Sequence, residues 1–161
     1  MADGNPTDDA PTQTDDDKVV RGIRFVPAEA QAIFDLLADP AQHHSIDGSG
    51  TVQRSNDEQP PRLELGAKFG MSMKMGVPYK MTNKVVEFDE PSLIGWTHFG
   101  GHIWRYRLRP VEGGTEVTEE FDMRPVKGAF LLKATGAPKR NGKAIEATLD
   151  RLVAHFQSAD T

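Results

Sequence analysis

The 161-residue chain predicts a two-layer α+β domain: a curved antiparallel sheet of about six to seven strands wrapped around one long C-terminal helix. Three observations predict it. Apolar residues alternate at period two through most of residues 68–123, turn signals separate the alternating runs, and a helical period follows over residues 145–156. The length fits one folding unit, since single domains typically run ~100–200 residues.

Residues 1–17 carry six Asp, no Lys or Arg, and nothing apolar larger than Ala after Met1. Such a segment cannot bury enough surface to offset its ordering entropy, so it is predicted to be a disordered acidic tail, with the domain spanning 18–161. Val20, Ile23, Phe25 and Val26 mark a first strand that Pro27 ends, and Pro27 suits the first turn of a helix. Ala30, Ile33, Phe34 and Leu37 form an apolar stripe up to Asp39-Pro40, and a second short helix follows within residues 41–50. Thr51–Ser55 reads as a strand.

Phe69, Met71, Met73 and Met75 then alternate with Lys68, Gly70, Ser72 and Lys74. Past the turn at Gly76-Val77-Pro78, Tyr79, Met81 and Val85 continue the pattern toward Phe88. Leu93–Phe99, His102–Arg109 and Val117–Met123 are the remaining strands, joined at Gly100-Gly101 and Gly113-Gly114, which specifies a meander. A short helix over 129–132 breaks around Gly136-Ala137-Pro138. Ile145, Leu149, Leu152, Val153 and Phe156 make the last stripe.

Several residue groups, in this order, carry a family resemblance: Val26-Pro27-Ala28, Asp39-Pro40, Ile46–Gly50, Leu65–Phe69, Val86-Glu87 with Pro91, and Trp96. Tyr106–Pro110, Gly113–Thr118 and Ala147–Leu152 complete the series. Over residues 18–157 the chain resembles the START-like (SRPBCC) superfamily, in its polyketide cyclase/dehydrase and lipid-transport branch. The resemblance implies a helix-grip fold, with an apolar tunnel between sheet and helix for lipids, polyketides or other apolar small molecules.

Composition excludes several functions. With no cysteine there is no disulfide, thiolate chemistry or Cys-bound zinc. No apolar run approaches the ~20 residues of a membrane-spanning helix, and no signal peptide is visible, so a cytoplasmic protein is expected. Lys+Arg number 19 and Asp+Glu 24, a net −5, which argues against a nucleic-acid footprint. The tail accounts for that sum, because residues 18–161 hold 19 basic and 18 acidic groups. Adjacent His43 and His44 point ~100° apart on a helix, so with Asp47 they are not expected to bind a metal. No cofactor is expected, and the chain is expected to be a monomer or weak homodimer.

Candidate ligand-binding residues follow from the inward faces. Met71, Met73, Met75, Met81 and Met123 are flexible thioethers that either line a cavity or fill a core. Trp96, His98, Trp104, Tyr106 and Phe121 join them, with His44 at the cavity mouth. His98 and His102 are either ligand groups or solvated hairpin ends. Glu119 interrupts the apolar face of Val117, Phe121 and Met123, so alternation points it inward unless a bulge turns it out. Asn83 is a similar intruder. The expected function is binding or carriage of a hydrophobic small molecule. The alternative is a cyclase/dehydrase-type enzyme with Glu119 as base and His98 or His102 polarising a carbonyl.

Overall fold

The computed structural model describes residues 13–53, 58–98 and 100–158, and of 13–16 only the backbone. In chain order the elements are β1 (Gln13–Asp16), β2 (Val19–Val26), α1 (Ala30–Leu37), a 3-10 turn (Pro40–Gln42), α2 (His43–Ile46) and β3 (Val52–Gln53). Then come β4 (Lys68–Met75), β5 (Val77–Asp89), β6 (Leu93–Thr97), β7 (Ile103–Val111), β8 (Gly114–Asp122), α3 (Ala129–Ala134) and α4 (Ala137–Ser158). The eight strands form one antiparallel sheet in the order β1-β2-β8-β7-β6-β5-β4-β3. The predicted α+β architecture is therefore the observed one, with β2 closing against β8 and α4 lying across the concave face.

Close contact between layers depends on two glycines. A Cβ at Gly22 would stand 2.6 Å from Cγ2 of Ile145, which is how tightly α4 lies on β2. At Gly48 it would meet the Thr148 backbone nitrogen at 2.3 Å, and the Gly48 N–H instead donates to Thr148 Oγ1 at 2.9 Å. Ile145, Leu149 and Leu152 of α4 are fully buried with Ile33, Phe34 and Leu37 of α1 and Ile94 and Val117 of the sheet. At 1.5 Å per residue, the 22 residues of α4 span about 33 Å, and the helix packs chiefly on β2 and β8.

Three details differ from the sequence expectation. Gln13–Asp16, inside the segment expected to be disordered, pair with β2. An edge strand offers unpaired N–H and C=O groups that accept any adjacent backbone, whatever its side chains. Residues 1–12, residues 54–57, which include the end of the expected Thr51–Ser55 strand, and Phe99 lie outside the described residues. Pro27 precedes α1 by three residues instead of opening it, the chain turning first through a 2.9 Å bond from the Ala28 N–H to the Val26 carbonyl. The helix break falls at Thr135-Gly136, so Pro138 sits in the first turn of α4, where its missing N–H costs nothing.

Among the described residues no helix is long and apolar enough to cross a membrane.

Candidate functional site

Alternation along β4 to β8 presents one side-chain row to α4. Register fixes it: Met71 faces Met81, Met73 faces Tyr79, Trp96 faces Trp104, and Tyr106 faces Glu119. Between this row and α4 lies an open pocket of about 670 Å³. Four methionines line it, Met71, Met73, Met75 and Met81, together with Trp96, Trp104, Tyr106 and Phe121. The opposite wall is α4, where Ala137, Ala144 and Ala147 leave room that longer side chains would fill.

The wall is graded. On β4 exposure rises from Phe69, which is buried, through half-buried Met71 and Met73 to Met75 at 53%. On β5 it rises from buried Asn83 through Met81 to Tyr79 and Val77. The pocket thus opens toward the β4–β5 hairpin.

At the deep end the Trp96 ring stacks on His43, centroids 5.0 Å apart. His43 Nε2 lies 2.8 Å from the Leu37 carbonyl, which makes Nε2 the protonated nitrogen; Nδ1 has no protein partner. Burial holds this imidazole below its ordinary pKa, so it is neutral.

Glu119 is the central polar group, fully buried as alternation predicted. The Trp104 indole N–H donates to Oε1 at 2.7 Å and the Tyr106 hydroxyl donates to the same atom at 2.9 Å. Oε2 is buried without a protein partner, and no cation is paired with this carboxyl among the described residues. Burial pushes its pKa up to about 8 against the pull of those two bonds, and the fields of Asp47 and Glu146 push the same way. A pKa there favours the protonated form at neutral pH, and Oε2 is the oxygen that no protein donor occupies.

His98 and His102 pack edge to face, 3.9 Å between centroids, at the pocket's far rim. Burial and the His98 ring lower the His102 pKa to about 4, so it too is neutral at pH 7. His102 directly precedes β7 and its ring packs on Phe121, centroids 4.7 Å apart. Glu119 and the two histidines line the same pocket, with the Phe121 ring against both His102 and Trp104.

Two candidates lie elsewhere. Met123 follows the end of β8 and is sealed in the core at 0% exposure, away from the pocket. His44 turns outward on α2 and its Nδ1 bonds the Ala41 carbonyl; its neighbour His43, a helical turn angle away, faces in. Asn83 lines the pocket with its Nδ2 unpartnered. Asp47 also lines it, but its carboxylate is engaged in its own loop, accepting from Ser49 and Val52. Among the described residues no group of His, Asp and Glu is placed to hold a metal ion.

Sequence comparison places the chain in known company. Residues 18–157 match the family model described as polyketide cyclase/dehydrase and lipid transport. The uncharacterized protein Rv0088 of Mycobacterium tuberculosis is 38% identical over 141 residues, 84% of this chain and 62% of that protein, so the chain spans under two thirds of this relative's length. A crystal structure of a Rhodobacter sphaeroides protein superimposes with TM-score 0.69 at 17% identity, covering 88% of this chain and 93% of that one. The Nitrosomonas europaea protein NE0264 gives 0.65 at 13% identity, over 92% and 100% of the two chains. The AHSA1-like protein of Aeromonas hydrophila gives 0.59 at 16%, over 88% and 94%. These structural likenesses show the fold, and the match across residues 18–157 shows the family: the chain belongs to the polyketide cyclase/dehydrase and lipid transport family.

Proposed function

We propose that this protein binds and carries an apolar small molecule between its sheet and α4. The observation that carries the reading is the graded wall, from methionines at an open mouth to a deep end whose titratable groups are neutral at pH 7. Thioethers adapt to ligands of irregular shape, and an uncharged interior accepts an apolar body without desolvating a charge. A pocket of about 670 Å³ lies within the ~300–1,000 Å³ usual for small-molecule sites.

The test is displacement of a fluorescent fatty-acid probe, read beside native mass spectrometry of the purified chain. Ala144→Trp places an indole in the pocket from α4. It should weaken probe binding by about tenfold or more, the scale set by one or two lost contacts, while the folded chain persists by circular dichroism. Equal binding in this variant, or none in the native chain, would overturn the reading.

One observation favours a second, catalytic reading: Glu119 is buried, without a cation, and carries a displaced pKa, as acid–base residues do. In a cyclase- or dehydrase-type reaction it would protonate or polarise a carbonyl from Oε2. A β-diketone in deuterium oxide probes this chemistry, because enolisation exchanges its α-protons. Catalysed exchange that Glu119→Gln abolishes supports an enzyme; exchange at the buffer rate removes that reading and leaves the carrier.

A further inference from the structure

Charge is segregated along this chain. Residues 66–86 and 124–143 together hold ten Lys and Arg and no Asp or Glu, while all 24 acidic residues lie elsewhere. These two stretches are the two banks of the pocket mouth. The first is the β4–β5 hairpin, which contributes Met75 and Tyr79 to the lining; the second carries α3 and the start of α4, which contribute Leu132 and Arg140.

Each bank also lifts apolar side chains into solvent. At the hairpin tip Met75, Val77 and Tyr79 are 53%, 73% and 40% exposed, and on α3 Phe130 and Leu131 are 70% and 62% exposed. A single exposed apolar residue is ordinary, but a group around one opening marks an interaction surface. Lys74 and Lys80 stand beside the hairpin tip on β4 and β5, and Lys139, Arg140 and Lys143 stand at the start of α4. Among the described residues Arg124 meets Asp122, and Lys133 meets an Asp17 carboxylate that is itself 91% exposed.

We propose that the pocket mouth docks on the surface of an anionic phospholipid bilayer. The hairpin tip and α3 seat their apolar side chains at the headgroup boundary, and the surrounding lysines meet lipid phosphates. Interfacial binding needs both components on one surface, buried apolar area and attraction to anionic lipid. A soluble polyanion answers the lysines but leaves Val77 and Phe130 in water. A second copy of the chain would set two basic rims against each other. The bilayer satisfies both features, and the inference stands whether or not the pocket holds a ligand.

Co-sedimentation of the full chain with extruded vesicles tests it. Vesicles of phosphatidylcholine with about 30 mol% phosphatidylglycerol should bind roughly tenfold more protein than phosphatidylcholine alone, and about 0.5 M salt should weaken that binding. Val77→Asp combined with Leu131→Asp should lower partitioning by about tenfold, and Lys74→Glu with Lys139→Glu should do the same, since each pair removes one of the two components. Leu65→Asp, at a 65% exposed site outside the pocket lining, should bind as the native chain does. Indifference to lipid charge would overturn the proposal, as would unchanged binding in the Val77/Leu131 variant. So would a concentration-dependent dimer that Val77→Asp abolishes. Probe displacement reads the pocket separately, so a failed docking surface and a failed pocket give different results.

Discussion

Glu119 and Glu120 are consecutive on β8, 0% and 2% exposed, and they have opposite chemistry. Glu119 faces α4, meets only neutral donors, and is driven toward its protonated form. Glu120 faces the convex side, where Arg21 and Arg105 each donate to it at 2.8 Å and hold its carboxyl below the ordinary range. Arg105 goes on to bind Glu87 through two bonds of 2.6 Å and Asp122 at 3.1 Å. Burial penalises the charge of both glutamates, and the partners decide which of them keeps it. The convex face is thus a closed ion network that supports the sheet. The concave face keeps an acid whose second oxygen the protein leaves unpartnered.

Breaking the convex network should have the largest effect. Arg105→Met removes the cation that joins Glu87, Glu120 and Asp122, leaving Glu120 only its bond from Arg21 and Asp122 only those from Arg124. Loss of one partner from a buried ion pair typically costs about 3–5 kcal/mol, to be read from urea unfolding at pH 7. The folded fraction should still bind the fatty-acid probe, because the lesion lies on the other face. A cost under about 1 kcal/mol would class the network with surface ion pairs and dissolve the contrast between the two glutamates.

On the concave face the effect is a slope. A carboxyl whose folded pKa is raised contributes stability that is fully present below its unfolded value, near 4.5, and is lost as pH rises through about 8. His102 runs the other way: its pKa falls from 6.5 to about 4, so its contribution is present above 6.5 and lost in acid. Between pH 6.5 and about 8 only the Glu119 slope remains of the two, falling by up to ~1.4 kcal/mol per pH unit. Tyr106 and Trp104 face this carboxyl from β7, while the charges of Asp47 and Glu146 act on it from the α2 loop and α4. Glu119→Gln, which mimics the protonated form, should flatten the stability curve over that window in thermal unfolding at stepped pH. A persistent slope would assign the titration to another group.

Which face a residue occupies was legible in the sequence; what waits on that face was less so. The period-two alternation that points Glu119 inward also sets Arg105, Arg107 and Arg109 on the outer face of β7, which is where they lie. Outward reads as solvated, yet Arg105 is only 4% exposed, because flanking acids from β5 and β8 close over it and no local pattern reports such cross-strand pairing. Glu87 needed a further step. A bulge between Val85 and Glu87 shifts the register by one residue, turning Glu87 to the convex side and Phe88 to the core. That His43 and not His44 lines the pocket has a related cause: the phase of a four-residue helix is set by tertiary contact, here the Trp96 stack, more than by its own sequence. The alanines of α4 did carry a signal, since small residues on a helix face already oriented by Ile145 and Leu149 leave space beside the sheet.

The smallest predicted effect separates burial from hydrogen bonding at Glu119. Trp104→Phe keeps an aromatic ring against Phe121, 5.4 Å away in the native packing, but deletes the indole N–H that reaches Oε1. That bond favours the ionised carboxylate and opposes desolvation, so its loss should raise the Glu119 pKa further. The sign for stability follows: the alkaline fall seen in the native chain should move to higher pH, by less than about one unit, since one net hydrogen bond is worth ~1 kcal/mol. A move to lower pH would mean that Trp104 acts on Glu119 by excluding water and not by donating a proton. Burial would then account for the acid's neutrality with no opposing bond from β7, and the difference between the two glutamates would rest on the arginines alone.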